Sequence, residues 1–218
     1  MTSDSLEHLH HEFRACIERQ PYSVTLDGLR LTIDKDVFPP DMGLCARNLA
    51  SIAQRYEPER ALDMGCGTAY LALFLKKSGV PDVWASDIHA PAIACARRNA
   101  ADNSEIGPIN VVQSDLFDDL PSSMTFDLIV FNQPFGPGDG QRICGCGSDG
   151  GHDICRRFLM KAPGHLSENG VILMPFSDRE ASQHSPQNVA GELGYLVETV
   201  FDEYYSESNN YIFEIRPR

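Results

Sequence analysis

The stretch Ala61-Leu62-Asp63-Met64-Gly65-Cys66-Gly67-Thr68-Ala69-Tyr70 decides how the rest of the chain is read. An apolar strand carries Asp63 at its end, and Gly65 and Gly67 make a tight turn before an apolar helical run begins. Glycine at such a turn lets a ligand come up against the backbone, where a side chain would block it. A dinucleotide fingerprint asks for a third glycine where this chain has Tyr70, so close approach of the helix to a pyrophosphate is obstructed. The Asp63 carboxylate also repels a pyrophosphate and suits a ligand that carries positive charge.

Outward from this turn, strand and helix patterns alternate with short joins. Strands are expected at residues 61–64, 83–87, 109–114, 126–131 and 171–175, and helices at 42–56, 69–78, 90–103, 153–165 and 182–193. Phe38-Pro39-Pro40 cannot be helical and sets off what precedes the series. The aromatic and β-branched runs 195–205 and 211–215, separated by Ser206-Glu207-Ser208-Asn209-Asn210, read as a terminal hairpin. The predicted fold is α/β: a doubly wound, Rossmann-like, seven-stranded and mostly parallel sheet with an antiparallel C-terminal hairpin. Ahead of it, Leu6, Leu9, Phe13, Cys16 and Ile17 recur at helical spacing, and residues 22–33 alternate around Asp27-Gly28 as a small hairpin.

Two more carboxylates follow the same logic. Asp87, in Trp84-Ala85-Ser86-Asp87-Ile88, ends the next strand about twenty residues beyond Gly67, the usual place for a ribose acceptor. Asp115, in Gln113-Ser114-Asp115-Leu116-Phe117, ends the third strand, where it can accept an adenine amino group while Ile88 and Leu116 pack on the ring. Any one strand-terminal Asp is as readily a helix cap or turn former, but three at successive strand ends around a glycine turn form a pattern.

From about Phe38 to its C-terminus the chain resembles the class I S-adenosylmethionine methyltransferases. The resemblance implies S-adenosylmethionine as cofactor, which carries an ammonium, a sulfonium and no phosphate. It places Phe38, Pro39, Asp63, Gly65, Gly67, Asp87, Ile88, Asp115, Leu116 and Asn132 around that cofactor. Glycine is frequent in the family where this chain has Ala69. After the fourth strand, Phe131-Asn132-Gln133-Pro134-Phe135 is similar to the reaction motif of the amino-group methyltransferases, including the release-factor glutamine and rRNA base enzymes. The resemblance implies that the Asn132 side chain and the Gln133 carbonyl accept hydrogen bonds from the target nitrogen, and that Phe135 stacks on its plane. Gln133 replaces a proline of the family pattern, which points away from glutamine or adenine acceptors, while Pro134 still holds residue 133 extended. Gly136–Gly147 reads as a mobile substrate-covering loop. Residues 1–36 are expected to form a lid on the cofactor cleft, or else to pack on a flanking helix, and 37–218 to form the catalytic domain.

Charge and composition narrow the partners. With 18 Lys plus Arg against 31 Asp plus Glu, the formal charge is −13, and no basic patch is visible, so nucleic acid is a disfavoured acceptor. A small molecule or a protein side chain is favoured. The longest apolar runs are too short for a membrane span, the N-terminus lacks a signal peptide pattern, and seven cysteines without framework spacing suit a reducing compartment; cytoplasm is expected. No metal is expected: His8, His10 and His11 fan over more than one helix face, and Cys144-Gly145-Cys146 near His152 and Cys155 lacks paired zinc spacing. The activity expected is N-methyl transfer. Its alternatives are intramolecular cyclisation of the cofactor with release of methylthioadenosine, RNA base methylation, and a non-catalytic cofactor-binding subunit.

Overall fold

The computed structural model describes residues 15–42, 45–134, 152–178, 185–205 and 208–218. Strands β1 (Tyr22–Leu26) and β2 (Leu29–Ile33) pair as an antiparallel hairpin. The main sheet contains β3 (Arg60–Met64), β4 (Asp82–Asp87), β5 (Asn110–Gln113), β6 (Phe126–Phe131), β7 (Leu166–Ser177), β8 (Leu196–Tyr205) and β9 (Ser208–Arg216). Their spatial order is β5-β4-β3-β6-β7-β9-β8, with β3 to β7 parallel and β9 antiparallel to both its neighbours. This is the predicted seven-stranded sheet. Its order reverses at β3, between β4 and β6, and the crevice at the carboxyl ends of those strands is where open α/β sheets take ligands.

Helices α1 (Cys45–Ala53), α2 (Tyr70–Lys77) and α3 (Ala90–Asp102) cover one face; α4 (His152–Lys161) and α5 (Pro186–Glu192) cover the other. The apolar run of β6 is continuous because both of its faces are buried. Leu128 and Val130 enter the core with Leu49 and Leu73, whereas Ile129 and Phe131 enter the core with Phe158 and Val189. Aromatic rings tie α4 to this second face: Phe158 lies 4.7 Å from Phe131 and 5.5 Å from Phe117, whose other neighbour is His165 at 4.6 Å. Asp127, the polar residue of the run, accepts the backbone N–H groups of Glu59 and Arg60 at 3.1 and 2.9 Å and the Ser167 hydroxyl at 2.7 Å, which fixes the opposite end of the strand.

Several elements differ from their predicted bounds, β7 and α4 among them. Strand β7 starts at Leu166, not 171, because Leu166 pairs with Phe126 before the register shifts; the polar Ser167-Glu168-Asn169 hides this start. Helix α4 stops at Lys161 and gives way to a 3-10 turn over Ala162–His165, since Pro163 has no N–H to continue the helix.

The β1–β2 hairpin is fixed by two asparagines of α3, both fully buried. Asn99 accepts from the Thr32 N–H at 2.8 Å and donates to the Thr32 and Thr68 carbonyls at 3.0 and 2.9 Å. Asn103 accepts from the Arg30 N–H at 3.0 Å and donates to the Arg30 carbonyl at 2.8 Å. The two amides, one helical turn apart, thus bond alternate residues of β2 as a neighbouring strand would. At the hairpin turn Asp27 accepts from the Tyr70 hydroxyl at 2.7 Å and from Arg47 at 3.2 Å. The hairpin therefore docks on α1, α2 and α3, and the expected N-terminal helix falls mostly outside the described residues. Asn99→Ala strips partners from one buried N–H and two carbonyls, so it is expected to cost about 2–4 kcal/mol in urea unfolding. A loss under about 0.5 kcal/mol would show that the hairpin is held by packing alone.

Candidate active site

The glycine turn is built as the sequence implies. Gly65 and Gly67 have φ of 65° and 52°, and Ala69 and Leu116 also adopt positive φ, at 62° and 57°. A left-handed conformation costs a non-glycine residue roughly 1–2 kcal/mol, and Ala69 bears that cost. A Cβ on Gly65 would lie 3.2 Å from the Phe131 ring, and one on Gly67 would lie 3.9 Å from the Phe38 carbonyl. Strand β6 thus backs the turn, and the Val37-Phe38 segment runs past it with Pro39 buried.

The three strand-end carboxylates have distinct environments. Asp63 is 1% exposed and accepts the Ala72 N–H at 3.0 Å, so it anchors the first turn of α2 from beneath. Asp87 is half-buried and bridges two turns, accepting the Gly67 N–H at 3.0 Å and the His89 N–H at 2.9 Å. Each of its oxygens keeps a lone pair for a ribose hydroxyl. Asp115 is bound by Arg157 of α4 at 2.6 Å, a partner that sequence reasoning missed because it lies on α4.

Ile88 is 58% exposed directly after Asp87 and offers an aliphatic face to a flat ring. Its carbonyl accepts from the Gln113 side chain at 3.1 Å, which holds that face in place. Leu116 differs from expectation. Its side chain is 4% exposed and lies in the core beside Phe117, so its contribution to the site is the backbone turn it makes and not an apolar face.

Burial pushes the Asp63 carboxyl up to about 8, the charge of Asp87 adding to the effect and the Ala72 N–H opposing it. Asp63 is then protonated in the native chain and ionised in the unfolded chain between the ordinary value near 3.8 and about 8. Native protein binds the extra proton in that window, so this group's stabilising contribution is lost as pH rises through it. Asp63→Asn should flatten this dependence. We expect unfolding midpoints close to wild type at pH ~3.5 and increasingly above wild type from there to pH ~8, and parallel profiles would contradict the assignment.

At the end of β6, Phe131 pairs with Met64, so Asn132 follows directly after β6 at the same end of the sheet as the glycine turn. Asn132 is half-buried. Gln133 is 2% exposed, and among the described residues neither its amide nitrogen nor its amide oxygen has a hydrogen-bond partner within normal geometry. Its side chain lies near Cys155 of α4, whose thiol burial pushes up to about 12 against a smaller opposing influence of Gln133. Phe135, the loop 136–147, Cys144 and Cys146 lie outside the described residues. Among the described residues no group of three or more His, Cys, Asp or Glu is placed to hold a metal, and no helix is long and apolar enough to cross a membrane.

This donor set fits S-adenosylmethionine. The glycine cradle admits a ligand to the backbone, carboxylates surround it, and an exposed aliphatic face stands beside the ribose acceptor. Comparison with known proteins agrees. The ribosomal protein uL3 glutamine methyltransferase of Bordetella pertussis is 30% identical over 168 residues, 68% of this chain and 55% of that protein. The release factor glutamine methyltransferase of Neisseria gonorrhoeae is 29% identical over 188 residues, 80% of this chain and 65% of that protein. The chain thus spans between 55% and 65% of the length of these two relatives.

Among solved structures, the Thermus thermophilus 16S rRNA N2 G1207 methyltransferase in complex with AdoMet and guanosine superposes with a TM-score of 0.66 at 17% identity, covering 90% of this chain and 50% of that one. A methyltransferase from Pyrococcus furiosus superposes with a TM-score of 0.64 at 19% identity, covering 97% and 98%. Both share the fold. The sequence profile of the methyltransferase small domain matches residues 41–198, which takes in the glycine turn, all three strand-end carboxylates and Asn132. The chain belongs to the methyltransferase small domain family, and its cofactor is S-adenosylmethionine.

Proposed function

We propose that this protein transfers a methyl group to an amine or amide nitrogen of a protein side chain or small molecule. The observation that carries this reading is the placement of Asn132 directly after β6, whose last residue, Phe131, pairs with Met64, the residue before the glycine turn. Bound S-adenosylmethionine supplies an electrophilic methyl group on a sulfonium. The chain's own task is then to aim a nitrogen lone pair along the line of transfer. The Asn132 side-chain oxygen and the Gln133 carbonyl would accept the two N–H bonds of the acceptor, turning the lone pair away from them and toward the cofactor. Fixing that geometry converts a bimolecular encounter into an oriented one, the largest contribution available without covalent or metal chemistry.

The surface supports a non-phosphate acceptor. On α4, Arg156 pairs with Glu192 at 2.8 Å, Arg157 with Asp115 at 2.6 Å, and Lys161 with Asp118, so among the described residues these three cations are each matched by a carboxylate. Net charge is −13. Such a surface favours neutral or basic acceptors over a polyphosphate backbone. Against the reading of Gln133 as a turn away from glutamine, the two glutamine-modifying relatives keep a carboxamide on a protein among the acceptors to be tested.

The reading is tested by supplying S-adenosylmethionine with three acceptor sets: glutamine-containing basic peptides, small primary amines and amides, and structured RNA. We expect one added methyl on nitrogen in the peptide or small-molecule set. Methylation confined to RNA, or found on carbon or oxygen with nitrogen acceptors untouched, contradicts it.

A further inference from the structure

Asp115 is the adenine acceptor in the reading above, yet one of its oxygens is already engaged by Arg157 at 2.6 Å. The pair is partly open to solvent, with side-chain exposures of 41% for Arg157 and 37% for Asp115. Exposed pairs of this kind contribute little to folding stability, so stability alone gives no account of it. Its location does. Asp115 follows β5 directly, with its backbone carbonyl accepting the Asp118 N–H at 3.2 Å and Leu116 held at positive φ, so its backbone is set. Its side chain still has two rotatable bonds. Asp118 and Asp153 lie close enough to Arg157 to act on its charge, so without the guanidinium Asp115 would stand among like charges.

We propose that Arg157 is a positioning residue for cofactor selectivity: by holding one oxygen of Asp115, it presents the other to the amino group of the cofactor's adenine. This rests on the cofactor reading of Asp115. A planar guanidinium fixes a carboxylate's orientation, which a point charge does less well. An oriented acceptor discriminates a ring that donates at this position from one that does not, because the wrong ring leaves a polar group unpaired. The same contact joins the adenine end of the site to α4.

The test is calorimetric binding of S-adenosylhomocysteine and S-inosylhomocysteine, in which the 6-amino donor is replaced by an oxo acceptor. Wild type, Arg157→Gln, Arg157→Lys, Asp115→Asn and the double variant Arg157→Gln/Asp115→Asn are compared, with thermal unfolding measured alongside. We expect wild type to prefer the adenosyl ligand by at least about 30-fold, an unpaired buried donor or acceptor being the source of that discrimination. Arg157→Gln should bind the adenosyl ligand about tenfold more weakly and lose most of the preference, with unfolding temperature nearly unchanged. Arg157→Lys should recover part of both losses, and the double variant should be no worse than Asp115→Asn alone, since the arginine acts only through that carboxylate.

Retention of affinity and preference in Arg157→Gln overturns the proposal. So do losses that add in the double variant, or a loss that tracks unfolding temperature and not the ligand's ring. A wild-type protein that binds S-adenosylhomocysteine without preferring it over the inosyl analogue overturns the role of Asp115 and leaves the cofactor assignment standing. Failure to bind either ligand overturns both.

Discussion

Asn132→Ala is expected to lower methyl transfer about 10²- to 10³-fold while changing S-adenosylmethionine affinity by no more than about threefold. The side chain lost is the one that would orient the acceptor nitrogen, and the structure places it half-buried at the end of β6, beside the turn and not within it. Core packing depends on its neighbours: Phe131 is 2% exposed against Phe158 at 4.7 Å, and that contact survives the substitution. The fold should therefore persist, and single-turnover rates at saturating cofactor isolate the chemical step. Asn132→Asp keeps an acceptor oxygen and should recover part of the rate with amine acceptors. A variant with wild-type turnover would mean that the nitrogen is held elsewhere.

Asp87→Ala is expected to weaken cofactor binding at least about 100-fold, more than the loss of a ribose contact alone would predict. Two backbone donors, the N–H groups of Gly67 and His89, lose their acceptor at the same time as the ribose hydroxyls do. Each orphaned group costs about 1–3 kcal/mol where water cannot replace the partner. The glycine turn should loosen as well, since Asp87 is its link across from β4. Asp87→Asn separates the two contributions: its amide oxygen can still accept one N–H while its NH2 cannot accept the other. An intermediate loss of affinity is expected there, measured by calorimetry. Unchanged affinity in Asp87→Ala would remove this carboxylate from the cofactor site.

The parts of this account that were legible in the sequence are those set by local chemistry. Asp63, Gly65 and Gly67 announce their turn because only glycine accepts positive φ without strain, and the C-terminal hairpin announces itself by paired aromatic and β-branched runs. The doubly wound, mostly parallel sheet follows from repeated strand–helix alternation. Less legible were features made by residues distant in sequence. Asn99 and Asn103 look like ordinary polar residues of an amphipathic helix, yet they bond β2 across 67 and 73 positions. Buried asparagines within a helix that starts after a strand-end Asp were the one available signal, and helical periodicity alone does not separate them from solvated ones.

Arg157 gave no sign of its partner, because a surface arginine on α4 and a strand-end aspartate meet only once the sheet has formed. The reading of Leu116 as an apolar face for the adenine ring missed because period-two reasoning stops where the strand stops. The residue after Asp115 turns inward through a positive φ that a leucine does not advertise. Gln133 was recognised as a departure from the family pattern, but its burial against α4, with an amide lacking hydrogen bonds, is a tertiary fact.

The central claim, oriented methyl transfer to an acceptor nitrogen, is tested most directly by following the fate of the cofactor. S-adenosylmethionine is incubated with the purified protein, first alone and then with the glutamine peptides and small amines, and the products are resolved by mass spectrometry. The account predicts S-adenosylhomocysteine that forms only when an acceptor is present, in equal amount to the methylated product, and that falls with Asn132→Ala. Methylthioadenosine formed in the absence of any acceptor would contradict it, since that product requires the cofactor's own amine to attack its aminobutyryl carbon and leaves the methyl group on sulfur.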